Sequence, residues 1–458
     1  MNEILLQYKQ VNPTTWAYLA SLLMIALYFK FNRAWSVRNW DLFGMILLAP
    51  ALLMVQYGIA HGGNGPRADL AERVQHVGYI WLFSVSGVFM LRLLLDAFMV
   101  RRPLLESNLS VGGLTFLGFS LFVFLMANVV TGTPEEEDLI GSKRSEHLRD
   151  MVASHNDLDR LSTHGPTFPL VYLLPHAMTD AILGLEAQSE PPAIGQLDDS
   201  SEPDVPGDDA ARSEADAKVH RVTARVVAIL SQLAIVIGIV LVGMRHFDNI
   251  KTGVAVATLY LLLPYTSMWT GCVTHALPGA LLIWAVVLYR RPLLAGAMIG
   301  LAFGTVYYPM FLLPLWLTFY WRRGAVRFLI GLLAAIGVLV LVLALTSIDG
   351  PMFLDSLRTM FVVRFPVQAD SGVWGRFWRP DYRIPILAAH VGLSLSMALW
   401  PAQKNLGTLL AYSAAVMLGT QFWHAHSGGL APAWYLPMLL LTIFRPNLED
   451  RVATAVVK

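Results

Sequence analysis

Four consecutive carboxylates, Glu135, Glu136, Glu137 and Asp138, stand in the segment TGTPEEEDLIGSKRS, directly behind the apolar run GGLTFLGFSLFVFLMANVV. A carboxylate at the edge of a membrane helix is partly desolvated, which raises its pKa and makes it a better general base. A second carboxylate beside it raises that pKa further, or shares a divalent cation such as Mg or Mn with it. Glu136, Glu137 and Asp138 are the candidates for such a role, with Glu137 and Asp138 the leading pair. A plain structural use exists too: acids that cap a span end and stay in water.

Five arginines form the second chemical group. Arg358, Arg364, Arg376, Arg379 and Arg383 lie in SIDGPMFLDSLRTMFVVRFPVQADSGVWGRFWRPDYRIP together with Asp349, Asp355, Asp370 and Asp381. Local ion pairs with those aspartates are one account of them. The other is an anionic ligand, since guanidinium forks match phosphate. Histidines supply the third group. His164 and His176 fall in one segment, with Asp180 one turn beyond His176, and His275 opens CVTHALPG. His424 and His426 share a face only on extended backbone. No further cysteine or ordered carboxylate supports a zinc site around them. The aromatic residues Trp269, Tyr307, Tyr308, Trp374, Trp378, Trp423, Trp434 and Tyr435 sit at the same ends of apolar runs, where amphipathic rings meet lipid headgroups.

The elements that must carry these residues are membrane helices. The chain has 458 residues, 55% of them hydrophobic and only 14% charged, with a mean hydropathy of +0.54. Soluble domains carry about a quarter charged residues. The apolar residues fall in runs matching a bilayer core rather than in the alternation of a barrel. The expected fold is an all-α polytopic membrane protein with about thirteen spans. The first apolar run, TTWAYLASLLMIALYF, reads as a retained span rather than a removed signal peptide. The net charge of +1 gives no field for nucleic acid, and the single cysteine, Cys272, excludes an internal disulfide.

Thirteen spans place the basic loops around Lys30–Arg38, Arg101–Arg102, Arg245–Lys251, Arg290–Arg291, Arg322–Arg327 and Lys404 on one side with the basic tail. The positive-inside rule makes that side cytoplasmic, with the N-terminus outside and the C-terminus cytoplasmic. The other face carries two long loops, 131–220 and 347–384. In the first, STHGPTFPLVYLLPHAMTDAILGLE is broken by Pro166, Pro169 and Pro175 and reads as an interfacial helix. The stretch about 187–217, rich in Asp, Glu, Pro and Ser, reads as a disordered insert. Three regions follow: extra N-terminal spans over 1–110, a core over 111–346, and an outer loop with C-terminal spans over 347–458.

In VVLYRRPLLAGAMIGLAFGTVYYPMFLLPLWLTFYWRRG a basic turn starts a helix with Gly296, Gly300 and Gly304 at four-residue spacing, and YYP then turns the chain. Such spacing lets backbones pack closely in lipid. This block resembles the polyprenol-phosphate-dependent glycosyltransferases of the GT-C superfamily, in particular the bacterial mannosyltransferase-like branch. THGPTFPLVYLLPHAMTDAILGLE resembles that superfamily's juxtamembrane helix. VHRVTARVVAILSQLAIVIGIVLVGMRHFDN resembles the span after it, with an early Arg and a basic end. The acidic EEED stands where members carry an essential Asp or Glu. The resemblance covers roughly residues 112–330. It implies a GT-C-like fold in a bacterial inner membrane. It also implies inverting transfer of a hexose or pentose from a polyprenyl-phosphate-linked donor to an acceptor at the extracytoplasmic face. Glu137 or Asp138 would then be the general base, with Glu136 beside them. Arg358 or Arg364 would hold the donor phosphate, and His164, His275, Tyr307 and Tyr308 would line the pocket. Two rival classes are a membrane transporter or lipid flippase, which would predict ionisable residues in mid-span and repeated halves whereas the span interiors here are nearly charge-free, and a non-catalytic scaffold subunit.

Overall fold

The computed structural model describes residues 12–453, apart from 63–66, 100–106, 135–137, 140, 144, 146–166, 190–205, 322, 347–350, 352, 355–356, 358–372, 425–429 and 449–450. The described residues form helices and contain no strand. Six helices are long and apolar enough to cross a membrane: Val37–His61, Ala68–Phe98, Val111–Thr131, Glu214–Arg245, Ala325–Leu345 and Pro380–Leu399. At a rise of about 1.5 Å per residue, the 21 residues of Val111–Thr131 reach about 31 Å, the depth of a hydrocarbon core. Their outward faces carry large apolar side chains such as Phe116 and Phe119, 75% and 67% exposed, as lipid contact requires. The chain is therefore an integral membrane protein.

In chain order the helices are α1 Pro13–Tyr28, α2 Val37–His61, α3 Ala68–Leu94, α4 Val111–Thr131, α5 Thr167–Ser189 and α6 Pro206–Arg245. There follow α7 Ile250–Leu262, α8 Pro264–Met268, α9 Val273–Val287, α10 Pro292–Thr305 and α11 Leu313–Phe319. The last four are α12 Ala325–Thr346, α13 Arg383–Leu399, α14 Leu406–Thr420 and α15 Leu436–Phe444. Two differences from the expected pattern have local causes. The run 252–268 is not one helix, because Pro264 drives Leu263 to an extended ψ of 132° and restarts the chain as α8. The acidic stretch about 187–217, expected to lack structure, is helical at both ends, since α5 runs to Ser189 and α6 begins at Pro206. Proline at the first helical position suits a helix start.

Short helices make the core and long ones surround it. Every residue of α14 and α15 is buried, as are most of α7 and α9. Helices apolar on all sides belong inside a large membrane bundle. The core helices α7, α9, α10, α14 and α15 have 9–15 residues and so are roughly 14–22 Å long, well short of the bilayer core.

At one end of the bundle the core and outer helices are level. Asp96, at the end of α3, meets Arg445, just past α15, at 2.6 Å. Arg92 reaches Asp41 of α2 at 3.2 Å and Asp96 at 3.1 Å. Arg451 pairs with Asp248 beyond α6, and Arg323 donates to the Ala453 carbonyl at 3.1 Å. These contacts gather the basic connections at the same end. The mismatch in helix length must then appear at the other end. There Ser86 of α3 donates to Gln421, just past α14, at 3.2 Å. From that level α3 continues for eighteen more residues to Ala68, about 27 Å. The ends of the core helices are thus sunk well below the ends of α2, α3 and α6. Residues 373–378 pack on the α3 wall above them: Phe377 stacks on His76 at 4.9 Å, and Trp378 meets Phe83 at 5.6 Å.

The glycine helix α10 packs against α12 as its spacing implies. A Cβ on Gly296 would stand 2.1 Å from the Phe328 carbonyl oxygen, and one on Gly300 2.8 Å from the Ala335 side chain. Backbone approach this close requires glycine.

Candidate functional site

The sunken end of the core gathers several of the residues with chemical potential. The α9 N-terminus is its centre. Asp138 follows α4 in the chain, is helical with Leu139, and is buried with 3% exposure. Its Oδ1 accepts a hydrogen bond from the Val273 N–H, the first residue of α9, at 2.9 Å. A helix start presents unsatisfied N–H groups and partial positive charge, which a carboxylate oxygen there satisfies. Tyr172 of α5 donates its hydroxyl to the Asp138 carbonyl at 3.1 Å, and its ring lies against Gly141, where a Cβ would clash at 2.7 Å. Burial, reinforced by the Asp138 charge, pushes the Tyr172 phenol well above its ordinary pKa of 10.0, so it stays a donor. Helix α5 is therefore pinned to Asp138 and Gly141.

His275 lies two residues into the same helix. Its Nδ1 is 2.7 Å from the Tyr265 hydroxyl, and Tyr265 stacks on Trp269 at 5.0 Å. Beside Tyr265 a small apolar crevice of about 10 Å³ lies between α2, α3 and the Pro264 break, and Leu52, Leu82, Pro432 and Leu436 are among its walls. From α9 the cluster continues through aromatic rings. Trp434 donates its indole N–H to the Thr274 carbonyl at 3.2 Å. Its ring lies 5.1 Å from Tyr308, which also meets Trp423 at 5.4 Å and His424 at 4.9 Å. Tyr307 packs on Tyr308 at 4.1 Å. Arg383, at the start of α13, donates to the Trp423 carbonyl and lies over its ring at 6.0 Å.

The structure thus brings Asp138, His275, Tyr307 and Tyr308 to one end of the core, linked by Trp434 and α9. Glu136, Glu137, His164, Arg358 and Arg364 lie outside the described residues, as does His426. Arg379 forms the local pair expected for this loop, with Asp381 at 3.0 Å, and Arg376 stands 3.9 Å from Glu72. Arg383 instead turns inward, with 8% exposure. Its sequence context does not separate it from the other four arginines. Trp423 and Trp434 are legible only as interfacial aromatics, and Gln421 carries no signal at all. Among the described residues no three His, Cys, Asp or Glu side chains converge as metal ligands. The Mg or Mn expectation therefore rests on the undescribed Glu135–Glu137.

The arrangement can hold an anionic segment against a helix dipole and offer flat aromatic faces and hydrogen-bond donors beside it, below the level of the surrounding helices. Comparison with protein-family models, with curated proteins and with solved structures finds no match for this chain.

Proposed function

We propose that the protein is an integral-membrane, GT-C-like glycosyltransferase of about thirteen spans that moves a hexose or pentose from a polyprenyl-phosphate-linked donor to an acceptor at the extracytoplasmic face, with inversion. The observation that carries the reading is the anchoring of the acidic segment by Asp138 at the α9 N-terminus, beside the Tyr308–Trp434 aromatic cluster and below the outer helices. A lipid-linked sugar needs a site that a headgroup can enter from the bilayer, and a sunken core end next to spanning helices suits it. Asp138 is buried and spends Oδ1 on the Val273 N–H. Asp138 is on this ground the anchor, and Glu137, its neighbour, is the general base. Glu137 takes the proton of the acceptor hydroxyl, the acceptor oxygen bonds to the anomeric carbon, and the bond to the lipid phosphate breaks on the opposite side. Arg358 or Arg364 neutralises the departing phosphate. His164, His275, Tyr307 and Tyr308 border the sugar. On this reading the basic end faces the cytoplasm of a bacterial cell.

The test is the anomeric configuration of the product and its dependence on Glu137. Inverted product from the wild type and none from Glu137→Gln supports the reading. Retained configuration, or unchanged transfer by Glu137→Gln, removes it. The buried network of Asp41, Arg92, Asp96 and Arg445 lies at the basic end of the bundle and not in mid-span, where the transporter reading expects ionisable side chains. Transbilayer movement of the intact lipid-linked sugar without bond cleavage would select that reading.

A further inference from the structure

We infer that Arg225 binds a lipid phosphate at the outer rim of the sunken core end; the inference rests on the glycosyltransferase reading only for which lipid is the natural one. Arg225 lies on α6 and is half-buried, and its Nη2 donates to the Gly132 carbonyl, at the C-cap of α4, at 2.7 Å. Its Nε is buried with no hydrogen-bond partner. No carboxylate pairs with it among the described residues. A half-buried guanidinium with a single carbonyl for company is costly next to lipid, and an anion offsets that cost.

The depth of the residue says which anion. Arg225 is twenty residues before Arg245, which belongs to the basic end, so the two are about 30 Å apart along one helix. That is the thickness of the hydrocarbon core. With Arg245 at one interface, Arg225 stands at the other, at the level of lipid phosphates. Its planar fork keeps donors beyond the one given to Gly132, and phosphate accepts such forks well. Asp138, six residues after Gly132 in sequence, bonds to the α9 N-terminus. A phosphate held at Arg225 would therefore place its attached group above the aromatic floor, with its tail among the surrounding lipids. Arg221, one turn further out, is exposed and donates to its own helix at the Ala217 carbonyl, and so serves as a control.

The experiment uses the full chain in phosphatidylcholine nanodiscs containing either phosphatidylglycerol or a long-chain polyprenyl phosphate, with native mass spectrometry reading the lipids retained. The wild type and Arg221→Gln should retain phosphate lipid equally, while Arg225→Gln should lose about tenfold in retention. Arg225→Lys keeps the charge without the fork and should fall between them. Loss confined to polyprenyl phosphate assigns the site to a lipid-linked donor; equal loss of phosphatidylglycerol assigns it to phospholipid headgroups in general. Wild-type retention of both lipids by Arg225→Gln overturns the inference. If circular dichroism shows Arg225→Gln unfolded, Arg225→Lys decides, and wild-type retention by it overturns the inference equally. Arg225-dependent binding with no sugar transfer from any donor would remove the glycosyltransferase reading and leave this site standing.

Discussion

Two alanine substitutions on one helix should have opposite effects. Gly331 and Gly337 both lie in α12, six residues apart. A Cβ on Gly331 would stand 1.9 Å from the Leu293 carbonyl oxygen and 2.8 Å from its carbonyl carbon, whereas a Cβ on Gly337 would meet nothing within 4 Å. Ordinary contact begins near 3.4 Å, so Gly331→Ala must part α10 and α12 by about 1.5 Å, and a gap of about 1 Å already forfeits up to half of each dispersion contact. The obstacle is backbone, which cannot rotate aside. The loss extends along the seam, where Gly296 and Gly300 face Phe328, Leu332 and Ala335. We expect a cost of about 3 kcal/mol, the upper end for overpacking. Gly337→Ala should instead leave stability unchanged or raise it by up to about 1 kcal/mol through helix propensity. Unfolding in mixed dodecyl sulfate and maltoside micelles, followed by tryptophan fluorescence, measures both. Equal shifts for the two variants, or a Gly331→Ala cost below about 0.5 kcal/mol, would refute the close packing of α10 on α12.

Asp96→Leu should destabilise by about 3–5 kcal/mol, because it leaves Arg92 and Arg445 buried without their shared carboxylate. Combined with Arg445→Met, the two losses should fail to add by about 1 kcal/mol or more in the same unfolding assay, and simple additivity would contradict the network. Asp138→Asn keeps an oxygen for the Val273 N–H and should be near neutral, while Asp138→Ala should cost about 1–2 kcal/mol, as losing a helix cap does; equal losses would argue against the anchoring role. His246, between α6 and α7, has its pKa held below the ordinary 6.5, chiefly by burial, with Arg290, Arg451 and Arg245 adding to the effect. Its Nε2 bonds to the Val287 carbonyl at 2.9 Å and its Nδ1 is buried without a partner, so protonation puts a hydrogen where nothing accepts it. The stability it contributes is present above the unfolded value of 6.5 and falls as pH drops below it. His246→Gln should flatten that part of the pH–stability curve, and an unaltered curve would exclude the assignment.

Much of the helical layout was legible because run length and bilayer thickness are the same physical quantity. The expected spans 112–130, 326–346 and 385–400 coincide with α4, α12 and α13 within two residues at each end. The glycine spacing of α10 spoke for close packing because a small residue every fourth position makes one continuous groove. Relative depth was not legible. Hydropathy does not say that α14 is wholly enclosed or that it ends level with Ser86, eighteen residues below the far end of α3. Those facts depend on which helices neighbour which, and they decide where a site can form. Asp138 could be picked out as an acid at a span end, but its bond to the α9 start joins residues 135 positions apart. Arg225 carried no sequence signal beyond being an early basic residue in a span. Its half-burial, its buried Nε and its contact with Gly132 set it apart from Arg221.

The most direct measurement is acceptor-dependent release of polyprenyl phosphate from polyprenyl-phosphate-linked hexoses and pentoses by the purified chain in lipid nanodiscs. The wild type and Gly337→Ala should release it with at least one such donor, and Glu137→Gln should not. Folded wild-type protein that releases none from any of these donors, with a full range of hydroxylated acceptors supplied, would contradict the central claim.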